Sequence, residues 1–196
     1  MVNEFFSILK LLIENQGEIF SIRKISQLRK INYKSAYNVM IKLKIEGLVD
    51  FQRVGNATNC SFSKNFNSSV FNVEYERRNE LIKNSNFRVI YESLNKISFP
   101  FIVLLFGSHA KKTATKHSDI DLMIISDNPK KIHEATSLIP LKIQAIPLTP
   151  QEFCSMAKSR EFSVVSEAIK KNIIIIGIED YYRLLENVER STNQRS

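Results

Sequence analysis

Phe101-Ile102-Val103-Leu104-Leu105-Phe106-Gly107-Ser108, followed after ten residues by Asp119-Ile120-Asp121-Leu122-Met123-Ile124-Ile125, is the stretch on which the fold turns. Six consecutive apolar residues bounded by a Gly-Ser turn predict a strand buried on both faces. The run after the two aspartates predicts a second such strand. Period-two alternation sets Asp119 and Asp121 on one face, with Cα atoms about 6.5–7 Å apart. Two carboxylates so close are poorly placed in a core unless something positive lies between them. Hard oxygen ligands beside a phosphate suit magnesium. Other acids follow: Asp127 after the second strand and Glu152 after Pro150, though spacing brings neither to the metal. His109 and His117 flank the motif, either as a base or phosphate contact or, more simply, as loop residues.

Working toward the N-terminus, Phe5, Ile8, Leu9 and Leu12 recur at helical spacing and predict one helix over 2–15. Ser21 caps a second helix, Ile22 to Lys30, with Ile22, Ile25 and Leu28 as its inner face. Asn32 caps a third, ending near Glu46, with Ala36, Val39, Met40 and Leu43 buried and Gly47 as the stop. Two alternating runs around Gly55-Asn56 predict a hairpin. Three helices and a hairpin entered through Gly47-Leu48-Val49 resemble the winged helix-turn-helix family over residues 2–64. That resemblance implies double-stranded DNA as a partner and leaves room for a homodimer. Lys34, Ser35, Tyr37, Asn38 and Lys42 remain outside the stripe, and Arg53 and Asn56 lie in the wing. These are the candidate DNA-binding residues.

The bulk properties agree. The 196 residues carry a net charge of +8. Residues 1–65 hold 10 Lys/Arg against 5 Asp/Glu, residues 66–98 hold 5 against 4, and residues 99–196 hold 13 against 11. The basic excess therefore sits in the first third, as expected where a polyanion is bound. No apolar run reaches the roughly 18 residues of a membrane span, and Met1 to Gln16 lacks the pattern of a signal peptide. Cys60 and Cys154 lie far apart, which fits a reducing compartment, so cytoplasm is the expected location. Polar Asn65 to Ser69 reads as a boundary. Residues 73–97 read as a helical connector with a weak point at Asn84-Ser85-Asn86, one kinked helix or two short ones. Its Arg77, Arg78 and Glu80 read as a solvated face.

Strand, Gly-Ser turn, helix and Asp-x-Asp strand resemble the nucleotidyltransferase superfamily of DNA polymerase beta. The match is to its minimal branch, some of whose members are antitoxins paired with ribonucleases. The spacing fits without a gap, and Glu167-Ala168-Ile169 through Gly177 to Tyr182 resembles that branch's C-terminal end. The resemblance implies an α+β chain. A winged helix-turn-helix (1–65) and a helical connector (66–98) precede a nucleotidyltransferase domain (99–187), a small mixed sheet flanked by helices. A disordered tail (188–196) follows. It also implies roles. Gly107, Ser108, Lys111 and Lys112 bind the nucleotide, an NTP and by preference ATP. Asp119 and Asp121 are catalytic and hold Mg2+ or Mn2+. The transfer is of a nucleoside monophosphate to a hydroxyl on a partner, a toxin-like protein among the candidates.

Two positions depart from the family pattern. Catalytic members carry a third carboxylate on a later antiparallel strand, and the aligned position on Leu141 to Ile146 is Gln144, a poor proton acceptor. Lys112 replaces a residue that is usually glycine. The rival expectation is a transcription regulator whose second domain binds nucleotide with little or no catalysis.

Overall fold

Several helix starts in this chain are set by side-chain caps. Ser21 accepts from the Lys24 amide and starts α2 (Ile22–Arg29), and Asn32 accepts from the Ser35 amide at 2.7 Å and starts α3 (Tyr33–Ile45). Lys30, in the left-handed region at φ 52, ends α2. These are parts of a computed structural model that describes residues 4–55, 57–159 and 162–193. The chain divides into two compact units after Val73.

In the first unit, α1 (Glu4–Glu14), α2 and α3 enclose Ile8, Leu9, Leu12, Ile25, Met40 and Leu43, all fully buried. The stripe Ala36, Val39, Met40 and Leu43 is buried as its spacing predicts. Leu28 differs from expectation: it is 44% exposed, since the short α2 turns Ile22 and Ile25 inward and leaves Leu28 at its last turn. After Gly47 (φ 71) come strands β2 (Val49–Val54) and β3 (Ala57–Phe62), paired antiparallel from Val49↔Phe62 to Val54↔Ala57. A two-residue strand β1 (Phe20–Ser21) joins the other edge of β3, giving the order β1-β3-β2.

The connector is two helices, α4 (Ser68–Leu81) and α5 (Ser85–Leu94). The Asn84 side chain accepts from the Asn86 amide at 2.9 Å and restarts the helix. Arg77 corrects the expectation of a solvated face, because it is only 5% exposed and pairs with buried Glu74 at 2.6 Å. It also donates to the Asn172 carbonyl, while the Tyr182 hydroxyl donates to Glu74 at 2.8 Å. Arg78 lies 4.9 and 5.2 Å from the rings of Tyr75 and Tyr91, so its cation is held by aromatic faces. The buried Glu74 charge is tolerated because both its oxygens accept hydrogen bonds, one from Arg77 and one from Tyr182.

The second unit is built on four strands, β4 (Ile102–Leu105), β5 (Ile120–Ile125), β6 (Ile143–Leu148) and β7 (Ile173–Ile176), in the order β6-β5-β4-β7. β4 runs antiparallel to β5 and β7, whereas β5 and β6 are parallel. The expected antiparallel strand at Leu141 to Ile146 is thereby corrected. The chain returns through α7 (Pro129–Ser137), and a helical crossover brings the next strand in parallel. Val103, Leu105, Leu122, Ile124 and Ile175 form one core face with Phe87, Ile90 and Leu94 of α5 and Ile132 of α7. Alternation turns Leu104, Met123 and Ile174 the other way. Helices α8 (Pro150–Lys158), α9 (Val164–Lys170) and α10 (Ile178–Asn193) complete the unit. α10 continues through Asn193, so the part of the expected tail that is described is helical. Among the described residues no helix is long and apolar enough to cross a membrane.

Candidate functional site

The end of β4 and the start of β5 meet at a turn that leaves no room for a side chain at Gly107. Gly107 has φ 65, and a Cβ built there would lie 2.0 Å from Oδ2 of Asp121 and 2.9 Å from its Cγ. The Asp121 carboxylate therefore rests directly on the Gly107 backbone, which a side chain would fill. The Phe106 amide donates to the Asp121 carbonyl at 3.1 Å and fixes the two strand ends together. A short helix, α6 (Gly107–Ala110), begins the return. Within it the Ser108 carbonyl accepts from the Thr113 amide at 3.0 Å. The structure thus brings Gly107, Ser108 and Asp121 to one turn, with Asp119 two residues before Asp121 and exposed, just ahead of β5.

The electrostatics follow from this packing. Burial pushes the Asp121 carboxyl above the ordinary carboxylate range, and the neighbouring charge of Asp119 pushes the same way. Glu167 adds to the push; His109 and Lys111 oppose it. A carboxyl in that state gains by meeting a cation. The His109 ring lies edge-on to Phe87, 5.4 Å between centroids, and its Nε2 is buried without a hydrogen-bond partner.

The lysines occupy different states. The Lys111 ammonium is 2.5 Å from Oε1 of Glu167 on α9. Lys112 is exposed and sits at φ 59, the left-handed conformation glycine adopts without strain. Gln144 stands directly across from Asp121 in the parallel β5–β6 register. At the position where the resemblance leads one to expect a third carboxylate, this chain has an exposed neutral amide. Glu152 is accounted for elsewhere, closing a capping box in which the Thr149 amide donates to its Oε2 at 2.7 Å. Asp127 follows the far end of β5 and His117 is exposed in the loop ahead of it. Among the described residues, no group of three or more His, Cys, Asp and Glu side chains could hold a metal ion. The available donors are Asp119 and Asp121, two hard oxygens that leave further coordination to a ligand's phosphates and water.

Sequence reasoning missed Glu167 as a member of the site. Its charge partner lies 56 residues away, and no local spacing signals it.

In the first unit, Lys34, Tyr37, Asn38 and Lys42 of α3 and Arg53 of β2 are exposed. Ser35 is half-buried, its amide spent on Asn32, and Asn56 lies outside the described residues. Tyr37 stacks on Tyr33, with centroids 6.4 Å apart and rings inclined by 25°. Tyr33, at the start of α3, is exposed beside it.

Residues 89–181 match the family model described as polymerase beta, nucleotidyltransferase, a span that holds the Gly-Ser turn, both aspartates and Glu167. The match supports the nucleotidyltransferase superfamily for this part of the chain. No curated protein and no solved structure matches the chain.

Proposed function

We propose that the second unit is a nucleotidyltransferase that holds an NTP, by preference ATP, with Mg2+ or Mn2+. It transfers the nucleoside monophosphate to a hydroxyl of a protein partner: the hydroxyl oxygen bonds to the α-phosphorus and gives up its proton to solvent, and the α–β phosphoanhydride bond breaks with release of pyrophosphate. The observation that carries this is the Asp121 carboxylate lying against the bare backbone of Gly107, with Ser108 next in the chain. A polyphosphate can approach that backbone closely, and the adjoining carboxylates can share its divalent ion. Bound there, the ion neutralises charge developing on the phosphates. The chain's own groups do the rest. Ser108 offers its hydroxyl and amide to a phosphate oxygen. Lys111 and Lys112 supply point charges. Asp119 and Asp121 orient the ion.

The first unit is proposed to be a winged helix that binds duplex DNA through α3 and the β2–β3 hairpin. Support comes from the order of three helices and a three-stranded antiparallel sheet, from exposed Lys34, Asn38, Lys42 and Arg53, and from the basic excess of residues 1–65. An antitoxin role, with a toxin-like protein as acceptor, is the form that best unites a DNA-binding unit with a minimal transferase. The second reading, a regulator that binds nucleotide without efficient transfer, is favoured by one observation, Gln144 opposite Asp121. Without a general base the rate falls by about 10²–10⁴.

The two separate on incubation with α-labelled ATP, Mg2+ or Mn2+ and cell extract. Protein labelling that disappears in Asp119→Ala supports transfer, whereas ATP binding without labelling supports the regulator. A gel-shift series on duplex DNA at rising salt tests the first unit. A steep loss of binding with salt is expected, and retention that survives Lys34→Ala with Lys42→Ala rejects the assigned face.

A further inference from the structure

The Lys111–Glu167 pair has a geometry that a purely structural ion pair does not need. Lys111 leaves the chain at the end of α6, its amide donating to the Gly107 carbonyl at 3.0 Å, so it springs from the turn that carries Ser108. Glu167 comes from the far end of the sequence and is firmly held. Ser163 and Ser166 cap α9 reciprocally, and Val165 and Ala168 on either side of Glu167 are buried. The two side chains meet half in solvent, at 45% and 29% exposure. A pair so exposed contributes little to stability and separates easily. Both charges also act on Asp121, Glu167 disfavouring its ionisation and Lys111 favouring it, so the pair sits within electrostatic reach of that carboxylate.

We propose that Glu167 is a displaceable anion of the nucleotide site: it occupies the Lys111 ammonium until a triphosphate takes its place. This rests on the nucleotide-binding reading above and adds to it a residue that sets affinity. Lysine is a flexible point charge on a long stem and can swing from a carboxylate to a phosphate without moving the backbone. A polyphosphate carries more charge than one carboxylate and wins the exchange. The released Glu167, no longer compensated by Lys111, is left within electrostatic reach of Asp121, where its charge favours the divalent ion. Nucleotide and ion are thereby coupled through the chain as well as through their own contact, and the coupling is reciprocal.

Titration calorimetry of the full chain with ATP, in the presence and absence of Mg2+, tests this. Wild type is compared with Glu167→Gln, Glu167→Ala, Lys111→Gln and the double variant Lys111→Gln with Glu167→Gln. Removing the competitor tightens ATP binding about two- to five-fold, the factor equivalent to a half-exposed ion pair. Lys111→Gln weakens binding, and in that background the Glu167 substitution loses its effect. Unchanged or weaker ATP binding by both Glu167 variants overturns the proposal, as does an equal gain with and without Lys111. If wild type binds no ATP at all, the transferase reading falls and this inference with it. Binding by wild type with a flat Glu167 series removes the inference alone.

Discussion

Gly107→Ala isolates the contact on which the site depends. The new Cβ would lie 2.0 Å from Asp121 Oδ2, 2.9 Å from Cγ and 3.2 Å from Cβ, at a backbone φ of 65. The left-handed conformation costs alanine about 1–2 kcal/mol, of which about 0.4–1 is returned by the stiffer unfolded chain. Relieving the overlap forces the carboxylate away from the turn, an overpacking cost of about 1–3 kcal/mol. The sum is a loss of about 1–4 kcal/mol in stability. A carboxylate displaced by about 1 Å further lowers transfer by about 10²-fold. Urea denaturation reads the first effect and label transfer from α-labelled ATP the second, while Mn2+ titration in the presence of ATP reports the carboxylate's position directly. The informative background is Asp121→Ala, in which Oδ2 and Cγ are gone and only the 3.2 Å Cβ contact remains. There Gly107→Ala should cost only its conformational part, about 0.5–1.5 kcal/mol. An equal penalty in both backgrounds refutes the contact as its source, and so does a Gly107→Ala protein that binds Mn2+ and ATP like wild type.

Other perturbations probe the same physics. Asp121 holds its proton more tightly when folded than when unfolded, so stability declines as pH rises past the ordinary carboxyl value of 3.8. Asp121→Asn should therefore melt higher than wild type at pH 7 without metal, and the gap should close as pH drops below 3.8; a lower melting point at pH 7 contradicts the assigned burial. Gln144→Glu puts a carboxylate across from Asp121, and labelling assays should show transfer raised by about 10²-fold or more. No gain would separate Gln144 from the third acidic position. Arg77→Met strands buried Glu74 and should cost about 3–5 kcal/mol in urea denaturation. Adding Glu74→Gln should recover part of it, and a cost below about 1 kcal/mol would mean the pair is not desolvated.

What the sequence made legible was whatever short-range physics controls. The caps at Ser21 and Asn32, the stop at Gly47, the stripe of α3 and the unbroken apolar run of β4 each depend on neighbours within a few residues. Features set by distant partners were not legible. β1 exists only because Phe20 and Ser21 find Cys60 and Asn59. The direction of β6 is decided by the α7 crossover, and the alternation of Ile143 to Leu148 is the same whichever way the strand runs. Arg77 reads as surface until Asn172 and Glu74 surround it. At the site, the Gly-Ser and Asp-x-Asp spacing identified the turn and the acids, but the companion of Lys111 came from another helix.

The charge pattern around the turn sets a condition on what can bind there. Asp119, Asp121 and Glu167 supply three negative charges; Lys111 and Lys112 supply two positive ones. On the proposed reading, a metal–nucleotide complex would satisfy both sets, its phosphates meeting the lysines and its cation the acids. Lys112 closes α6 in the left-handed conformation at φ 59, its amide donating to the His109 carbonyl and the Thr113 amide to the Ser108 carbonyl, so its charge is carried at the turn itself. On this logic ATP and Mg2+ should each bind weakly alone and cooperatively together. Strong binding of either alone, insensitive to the other, would mean that the acids and the lysines do not serve one site.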